Sequence, residues 1–310
     1  MKNAVLVTGS SGFVGGALVD RLLKDGHQVV AMVRDRTGYE DRAPKDAVLA
    51  FGDVRDADFC RRVIADYEVN TIFHLAAQAI VSACAEDPVT ALDVAVLGTS
   101  RLLQAAKDSG RPIRVVVSTS DKVYGAAPAP YTEETPLDAR HAYEVSKACQ
   151  DLVARMFHSN FGLDVRVVRA VNIYGPGDPN GTRVVPNTVQ RILRGEPPIV
   201  HAGAWGMQRQ YVYVDDMVDA LLAVEEHGLP GSAYCVGSPD APLSVGEVIA
   251  RISKQMGFEL KPEEKERDAR FREIQSQAVC DDKLRALGWK PEVDFEEGVK
   301  RTIAWYKGQC

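Results

Sequence analysis

The stretch Ala4-Val5-Leu6-Val7-Thr8-Gly9-Ser10-Ser11-Gly12-Phe13-Val14-Gly15 decides the fold of this chain. It begins with an apolar run, which is typical of a parallel strand covered on both faces. Glycines then recur at every third position, and a helix is predicted over residues 16–24. Glycines at this spacing allow a tight turn and bring backbone N–H groups close to a pyrophosphate. Such a turn is weak evidence by itself, but its place between a strand and a helix favours a dinucleotide site.

Three more apolar runs, at residues 28–33, 47–51 and 71–78, are predicted as the next strands. Ligands of open parallel sheets bind outside the carboxyl ends of the strands, so the residues there are candidates for binding. We expect Asp53, just after the third run, to touch an adenine. The fourth run ends in Leu75-Ala76-Ala77-Gln78, whose alanines let a flat cofactor lie against the backbone. His74, just before them, is predicted to pack inside the sheet.

Arg34 follows the second strand, at the position that commonly selects between NAD and NADP. An acidic residue there holds the ribose 2′-hydroxyl, whereas an arginine accepts a 2′-phosphate. Arg34 therefore favours NADP slightly. Asp35 could still reach a ribose, and Asp35 and Arg36 are equally typical of a solvated loop, so both cofactors stay open.

Composition narrows the class of protein. The 310 residues suffice for two lobes, and the net charge of -6 argues against a nucleic-acid partner, which would need clustered lysines and arginines. Six scattered cysteines without a C-x-x-C pair indicate reduced thiols and no metal site. No apolar run approaches the roughly 18 residues of a membrane span, and the run after Asn3 is too short for a signal peptide. We therefore expect no membrane partner and a cytoplasmic location.

Candidate catalytic residues follow another apolar run, at residues 113–117. Ser118-Thr119-Ser120-Asp121-Lys122 continues that run, and Tyr143 and Lys147 follow at a spacing of one helical turn. A phenol has an ordinary pKa of about 10, so a tyrosine that accepts a proton at neutral pH needs positive charge nearby, which Lys147 would supply. The alternative is a surface tyrosine and a solvated lysine on an ordinary helix.

Several motifs together resemble the extended short-chain dehydrogenase/reductase family of NAD(P)-dependent nucleotide-sugar epimerases and dehydratases. They are Gly9-x-x-Gly12-x-x-Gly15, Asp53-Val54, His74-Leu75-Ala76-Ala77-Gln78, Tyr143-x-x-x-Lys147 and Asn172-Ile173-Tyr174-Gly175-Pro176-Gly177. The resemblance implies an α/β fold, with a Rossmann doubly wound parallel sheet in residues 1–170 to which residues 205–235 return. It also implies a smaller C-terminal substrate-binding lobe in residues 171–310, and a homodimer built on helices predicted at residues 89–108 and 142–160.

The resemblance also assigns roles. Tyr143, with Ser120 and Lys147, would take the proton from a sugar hydroxyl while hydride passes to the cofactor. The substrate, a nucleotide sugar, would be bound by Gln78, Asn172, Arg183 and Arg209, with the last three at its diphosphate, since guanidinium groups bind phosphate oxygens in pairs. The cofactor, NAD or NADP, would contact Gly9, Ser11, Gly12, Phe13, Val14, Gly15, Arg34, Asp53, Val54, Leu75, Ala76, Ala77, Gln78, Ser118, Tyr143 and Lys147.

Asp121 and Lys122 distinguish between reactions. Family members that are 4-epimerases generally carry small or neutral residues there, whereas loss of water across C5 and C6 needs a base for the C5 proton and an acid for the departing hydroxyl. Most 4,6-dehydratases of the family have Asp-Glu at this pair, and Ser120-Asp121-Lys122 resembles their CDP-glucose branch. Lys122 can act as the base only if burial or positive charge lowers its pKa. The competing interpretation is that Lys122 only pairs with Asp121 or with a phosphate.

The sequence therefore predicts a 4,6-dehydratase, with a CDP-glucose-like substrate favoured and a 4-epimerase as the first alternative. A uronic acid decarboxylase is disfavoured because that reaction normally has glutamate where Lys122 stands. A non-catalytic NAD(P)-binding regulator is disfavoured because Ser120, Tyr143 and Lys147 are all retained. One departure from the family is Ala95, which stands at a usual asparagine position and predicts a missing contact near the active-site lysine.

Overall fold

Strands and helices alternate along the chain, of which the computed structural model describes residues 4–34, 46–266 and 274–309. The elements up to residue 161 are β1 (Ala4–Thr8), α1 (Phe13–Lys24), β2 (Gln28–Val33), β3 (Val48–Phe51), α2 (Ala57–Asp66), β4 (Val69–His74), α3 (Val81–Glu86), α4 (Pro88–Leu92), a π-helical segment (Asp93–Gly98), α5 (Thr99–Asp108), β5 (Arg114–Ser120), a 3-10 turn (Asp121–Tyr124) and α6 (Ala142–Phe161). The later elements are β6 (Asp164–Ala170), β7 (Asn172–Tyr174), α7 (Val184–Leu193), β8 (Ile199–His201), β9 (Gln208–Arg209), β10 (Tyr211–Tyr213), α8 (Val214–His227), β11 (Ala233–Val236), β12 (Leu243–Ser244), α9 (Val245–Met256), β13 (Glu263–Lys265), β14 (Ser276–Gln277), α10 (Asp282–Arg285) and α11 (Phe295–Lys307).

A parallel sheet of seven strands forms the centre of the molecule, in the order β11-β6-β5-β4-β1-β2-β3. The chain winds outward from β1 in one direction through β2 and β3, and in the other through β4, β5 and β6. The carboxyl ends of β1 and β4 therefore lie side by side, with Thr8 paired with His74. A crevice opens at such a switch point, and ligands of doubly wound sheets bind in it.

Side chains on the two faces of the sheet enter two different cores. Val5 and Val7 pack with α1 and α8 on one face, and Leu6 packs with α2, α5 and α6 on the other. This is why the first strand is apolar at consecutive positions rather than at alternate ones. Each fully buried aliphatic side chain contributes about 1.5–3 kcal/mol, so the covered sheet is a rigid platform for the residues at its edge.

A third core joins the elements of the second half. Side chains of β7, β10, α7, α9 and α11 meet there, around the buried Tyr174 and Phe295. Two later elements return to the first half, because β11 pairs with β6 and α8 packs against α1. The predicted α/β fold with a doubly wound parallel sheet is confirmed. The division into domains at residue 170 stays a prediction.

Three predicted elements differ in their bounds. Helix α1 begins at Phe13, not at residue 16, because the extended Gly12 is its N-cap. Strand β4 ends at His74, since the N–H groups of Leu75 and Ala76 donate to the Thr8 hydroxyl oxygen. The helix predicted over residues 89–108 is divided by the π-helical segment, whose wider turns shift the hydrogen-bond pattern.

Among the described residues, no helix has the length and apolar character to cross a membrane, and no group of three or more His, Cys, Asp or Glu side chains could hold a metal ion. The cysteines at positions 60, 84, 149, 235 and 280 are free thiols. The cytoplasmic location stays a prediction.

Candidate active site

The glycine-rich turn after β1 lies against the end of β4. Gly9 has a φ of +68°, and a Cβ there would lie 2.9 Å from the backbone nitrogen of Ala76. At Gly15 a Cβ would lie 2.1 Å from the carbonyl oxygen of Gly9. Both positions therefore exclude side chains, because the turn must approach β4 and α1 must approach the turn. The amino end of α1 faces outward from the glycine-rich turn. It has free N–H groups, and the first turn of the helix carries no acidic residue.

A cleft of about 1370 Å³ runs along the carboxyl ends of β1, β2, β3 and β4. Most of the residues predicted to bind the cofactor line it, namely Gly9, Ser11, Gly12, Phe13, Arg34, Asp53, Val54, Leu75, Ala76, Ala77 and Gln78. Val14 and Gly15 do not line it, because they face the packing between α1 and the sheet. The other predicted cofactor residues that do not line it are Ser118, Tyr143 and Lys147. A strand, a glycine-rich turn and a helix terminus together fit a dinucleotide with its pyrophosphate at α1.

Asp53, predicted to touch an adenine, lies in this cleft and is held by its neighbour Arg55. The Arg55 guanidinium donates to both carboxylate oxygens of Asp53, at 3.0 and 2.8 Å, and these hydrogen bonds hold the pKa of Asp53 below its ordinary value. Arg34 is exposed at the same edge, and its charge lowers the pKa of Asp53 further. Asp35 and Arg36 lie outside the described residues.

Tyr143 and Lys147 lie in the first two turns of α6. The start of this helix is fixed by Glu144, whose carboxylate accepts from the N–H groups of Arg140 and His141 at 3.1 and 3.3 Å. Lys147 is buried, and its Nζ donates to the carbonyl oxygen of Ser118 at 3.1 Å. The lysine therefore connects α6 to the end of β5, where Ser120 lies.

Burial shifts the pKa values of both residues away from their ordinary ranges. It lowers the pKa of Lys147 to about 8. It raises the pKa of Tyr143 to about 12, although a hydrogen bond with Ser120 and the positive charge of Arg183 act in the opposite direction. Ser120 and Tyr143 are therefore in contact, and the phenol needs further positive charge before it can lose its proton and act as a base near neutral pH. Their catalytic roles stay predictions.

Asp121 is buried at the start of the 3-10 turn, with 2% of its surface exposed. Ser120 caps this turn: its Oγ accepts from the N–H of Lys122 at 3.2 Å and donates to an Asp121 carboxylate oxygen at 3.1 Å. Burial raises the pKa of Asp121, while the charges of Lys122 and Arg209 lower it by less. A carboxyl group whose pKa is raised keeps its proton closer to neutral pH, so it can serve as an acid.

Gln277 joins the two side chains that follow Ser120, and no sequence pattern predicted it. Its Nε2 donates to Asp121 at 3.4 Å, and its Oε1 accepts from Lys122 Nζ at 3.3 Å. Gln277 is fully buried on β14, which pairs with β9 beside Arg209. Only the pairing of these short strands brings it to a site 156 positions earlier in the chain.

The residues predicted to bind substrate divide into two groups. Arg183 and Arg209 act electrostatically on Tyr143 and Asp121, respectively, so both guanidinium groups lie near the catalytic candidates. Arg183 donates to Asp178 at 3.0 Å, and Arg209 is buried and donates to the Gln208 carbonyl at 2.8 Å.

Asn172 and Gln78 make local contacts. The Asn172 amide donates to the Gln210 carbonyl at 3.3 Å, and the Gln78 carbonyl accepts from the Cys84 thiol at 3.2 Å. Gln78 lines the cleft. The substrate-binding roles of all four residues stay predictions.

Ala95 is buried in the π-helical segment, with 1% of its surface exposed. Its methyl group offers no polar atom, as the sequence indicated. The polar partner of the active-site lysine comes instead from Gln150, whose Oε1 accepts from Lys147 Nζ at 2.9 Å. The spacing of three residues on one helix is a signal that could have pointed to Gln150.

The chain is similar to known proteins over most of its length. Residues 5–237 match the NAD dependent epimerase/dehydratase family. A UDP-glucose 4-epimerase of Mycolicibacterium smegmatis is 33% identical over 315 residues, which cover 98% of each chain. A dTDP-glucose 4,6-dehydratase of Streptomyces griseus is also 33% identical, over 323 residues that cover 99% of this chain and 94% of the relative.

A solved structure has the same fold. The dTDP-glucose 4,6-dehydratase of Streptomyces venezuelae, with NAD bound, superposes with a TM-score of 0.89 at 29% identity and covers 98% of this chain and 97% of its own. The cofactor in that relative gives no support to the slight preference for NADP based on Arg34. The fold, the cleft and these similarities together show that the chain belongs to the NAD-dependent epimerase/dehydratase family of extended short-chain dehydrogenases/reductases.

Proposed function

We propose that the protein is a 4,6-dehydratase that converts a nucleotide-linked hexose into its 4-keto-6-deoxy derivative with bound NAD. The observation that carries the proposal is the buried Asp121, whose pKa is raised and which lies in contact with Ser120 and Gln277. Exchange of configuration at C4 needs no acid for a departing hydroxyl, whereas loss of water does. Asp121 supplies such an acid next to the residues that would oxidise C4.

The first step is removal of the C4 hydroxyl proton by Tyr143. Ser120, in contact with the phenol, orients the same oxygen, and Lys147 supplies positive charge one helical turn away. Bound NAD would accept the C4 hydride and return it to C6 after the elimination, so the reaction needs no external oxidant. The glycine-rich turn, Asp53 and the backbone from Leu75 to Gln78 would hold it.

The second step is loss of water across C5 and C6. The C4 ketone acidifies the C5 proton, which Lys122 removes, and Asp121 gives its proton to the departing C6 hydroxyl. Gln277 contacts both groups, since its amide oxygen accepts from the Lys122 amine and its amide nitrogen donates to Asp121. The elements of one water molecule leave, and the stored hydride would then be added at C6 while Lys122 returns its proton to C5.

The substrate is proposed to be CDP-glucose or a close analogue. This choice depends on the sequence Ser120-Asp121-Lys122, which resembles the CDP-glucose branch of the dehydratases. The test is incubation with CDP-, dTDP-, GDP- and UDP-hexoses followed by mass measurement of the products. A dehydratase removes one water from its substrate, and an epimerase leaves the mass unchanged. Epimerisation without loss of mass would refute the proposal.

The role of Lys122 is tested separately by Lys122→Ala. This variant should still oxidise C4, seen as absorbance of reduced cofactor, while the elimination stops. The matched change Lys283→Ala removes a lysine of α10, whose Nζ lies over the ring of Tyr234, and should leave both steps intact. Complete dehydration by Lys122→Ala would mean that Lys122 is not the base.

A 4-epimerase is the second candidate. The epimerase of M. smegmatis is as similar in sequence as the dehydratase of S. griseus. Ser120, Tyr143 and Lys147 would serve the oxidation in either case. The two candidate functions differ only in the catalytic roles that they assign to Asp121 and Lys122.

We also propose a homodimer formed through α4, the π-helical segment, α5 and α6. These elements leave large apolar side chains exposed, including Val89, Leu97, Leu152, Met156 and Phe161. A shallow cavity of about 410 Å³ between α5 and α6 includes Met156 and Phe161. Exposed apolar patches of this kind mark interaction sites. Light scattering should give a dimer for the native chain and a monomer for Leu152→Glu, whereas a monomeric native chain would refute this assembly.

A further inference from the structure

A chain of buried polar side chains connects the glycine-rich turn to the active-site lysine. Thr8 Oγ1 lies 2.7 Å from His74 Nδ1, and His74 Nε2 lies 2.9 Å from Thr99 Oγ1. Gln150 Nε2 donates to the same Thr99 oxygen at 3.1 Å, and Lys147 Nζ donates to Gln150 Oε1 at 2.9 Å. All five side chains are buried. The chain of hydrogen bonds therefore connects β1 and β4 to α5 and α6.

The direction of each hydrogen bond follows from its neighbours. Thr8 Oγ1 already accepts from the N–H groups of Leu75 and Ala76, each at 3.2 Å, so its hydroxyl proton is donated to His74 Nδ1. Burial lowers the pKa of His74 to about 3, so the ring is neutral and its remaining N–H, on Nε2, donates to Thr99. Thr99 Oγ1 thus accepts from both His74 and the Gln150 amide nitrogen.

The amide of Gln150 can then have only one orientation. Its nitrogen is committed to Thr99 and, at 3.5 Å, to the carbonyl of Ala76, so its oxygen faces Lys147. In the described part of the chain, Lys147 Nζ has two acceptors, this oxygen and the Ser118 carbonyl. Neither carries a formal charge, and the side chain of Ala95 offers no third.

We propose that Gln150 is the positioning residue that holds the Lys147 ammonium in place for Tyr143, and that Thr99 and His74 keep its amide oxygen turned toward the lysine. The inference rests on the use of Tyr143 and Lys147 in the proposed oxidation at C4, which an epimerase and a dehydratase share. A lysine without this acceptor loses its charge more readily or turns away, and the phenolate of Tyr143 loses the nearby cation.

Other titratable groups face the pair and stay the same in the variants below. His74 and Cys84 act on Lys147, and Cys84, Asp121 and Arg183 act on Tyr143. Burial raises the pKa of the Cys84 thiol to about 11, so it is neutral near neutral pH. Arg183 is the cation among these groups that act on Tyr143. A substitution at Gln150 changes none of them, and its direct contact is with Lys147.

The experiment follows ionisation of Tyr143 by its phenolate absorbance in the NAD complex, with no sugar present. Each protein is compared with the same protein carrying Tyr143→Phe, so that the difference reports this phenol. Gln150→Leu removes the acceptor, and we expect the pKa of Tyr143 to rise by about 1 unit, which equals a loss of about 1.4 kcal/mol of phenolate stabilisation. Gln150→Glu keeps an acceptor and favours the charged lysine, so its titration should stay closer to that of the native protein.

Stability serves as the second readout. Thr302→Val removes another fully buried hydroxyl, far from the site on α11, and should lower the melting temperature without moving the Tyr143 titration. Gln150→Asn keeps the amide at a shorter reach, and a partial shift from this variant supports the proposal even if Gln150→Leu fails to fold. A lower melting temperature with an unchanged Tyr143 titration in Gln150→Leu and Gln150→Asn would overturn it. A shifted titration in a protein that converts no nucleotide sugar would refute the proposed function and leave the positioning role intact.

Discussion

Two buried cations lie on neighbouring elements, and one has a charged hydrogen-bond partner whereas the other has only neutral ones. Arg169 on β6 donates to both carboxylate oxygens of Asp151, at 2.7 and 3.0 Å, and to the Tyr124 hydroxyl at 2.8 Å. Burial alone would lower the pKa of Arg169, but the Asp151 carboxylate raises it overall. Lys147 lies four residues before Asp151 on α6, yet it has only neutral acceptors, and burial lowers its pKa to about 8.

The difference separates a structural charge from a reactive one. A buried ion pair with complete hydrogen bonds stays charged under all ordinary conditions and fixes the elements that carry it. A buried amine with neutral partners keeps its charge only weakly, and its pKa lies near the working pH of an enzyme. One helix therefore carries both the residue that anchors it to the sheet and the residue that reacts.

The largest effect should come from Lys147→Met. Loss of the cation next to Tyr143 removes the stabilisation of the phenolate, and oxidation at C4 should fall by about 10²–10⁴-fold. Stability should change little or rise, because the substitution removes a buried charge that has no acidic partner. Turnover of the nucleotide hexose that the substrate panel identifies measures the rate, and urea unfolding measures the stability. Lys107→Met, at the exposed end of α5, is the control, and a large loss of stability without loss of rate would contradict the comparison.

Arg169→Met should show the reverse pattern. The substitution leaves the Asp151 carboxylate buried in a site built for a pair, which typically costs about 3–5 kcal/mol. Urea unfolding should report that loss. The NAD complex should keep the Tyr143 titration of the native protein at temperatures where the variant is folded. A variant that unfolds like the native protein would show that the ion pair is not what anchors α6 to β6.

The dependence of stability on pH should distinguish Lys147 from the paired cation. Its pKa falls from 10.5 in the unfolded chain to about 8 in the fold, so the unfolded state binds more protons between these values. The free energy of unfolding contributed by this group should therefore rise by about 3 kcal/mol as the pH increases from 8 to 10.5, and stay constant below pH 8. Subtracting the pH dependence of the unfolding free energy of Lys147→Met from that of the native protein isolates the contribution of Lys147. A flat difference would mean that the lysine is not buried in its charged form.

The smallest effect is expected for Arg155→Met. Arg155 also donates to Asp151, at 2.7 Å, but its side chain is 36% exposed. Ion pairs with a solvent-exposed partner are worth about 0–1 kcal/mol. The free energy of unfolding should therefore change by no more than this amount. Arg155→Met is a matched control for Arg169→Met because the two arginines share one carboxylate. A loss of stability as large as that of Arg169→Met would mean that the exposure of each arginine does not determine what its ion pair contributes.

Local patterns made the platform predictable. The strand predicted over residues 28–33 is β2, Gln28–Val33, and the turn around Gly9 follows β1 as expected. Both could be predicted because strands and helices depend largely on patterns of neighbouring residues. The family resemblance implied roles for Ser120 and Tyr143, whereas the contact between them is seen only in the structure. The slight preference for NADP failed to gain support because one exposed arginine is weak evidence about a cofactor.

The missed residues reach the site through tertiary contacts. Gln277 depends on the pairing of β14 with β9, and nothing near it in the sequence marks a functional residue. In the sequence, Gln150 resembles any other polar residue of an amphipathic helix. Its role becomes visible only when the structure brings the strand end at Ser118 and the hydroxyl of Thr99 close to it. Arg169 likewise interrupts an apolar strand without revealing its partner.

The π-helical segment from Asp93 to Gly98 has a consequence for the length of the chain. Its wider turn accommodates one residue more than an α-helix would over the same distance. Deleting a single residue there would restore the α-helix and leave the residues after it in nearly the same register, because the wider turn already absorbs the extra residue. Thr99, the next residue, would keep its hydroxyl beside His74 and Gln150. The segment thus lets the helix carry one additional residue without disconnecting the lysine from the nucleotide turn.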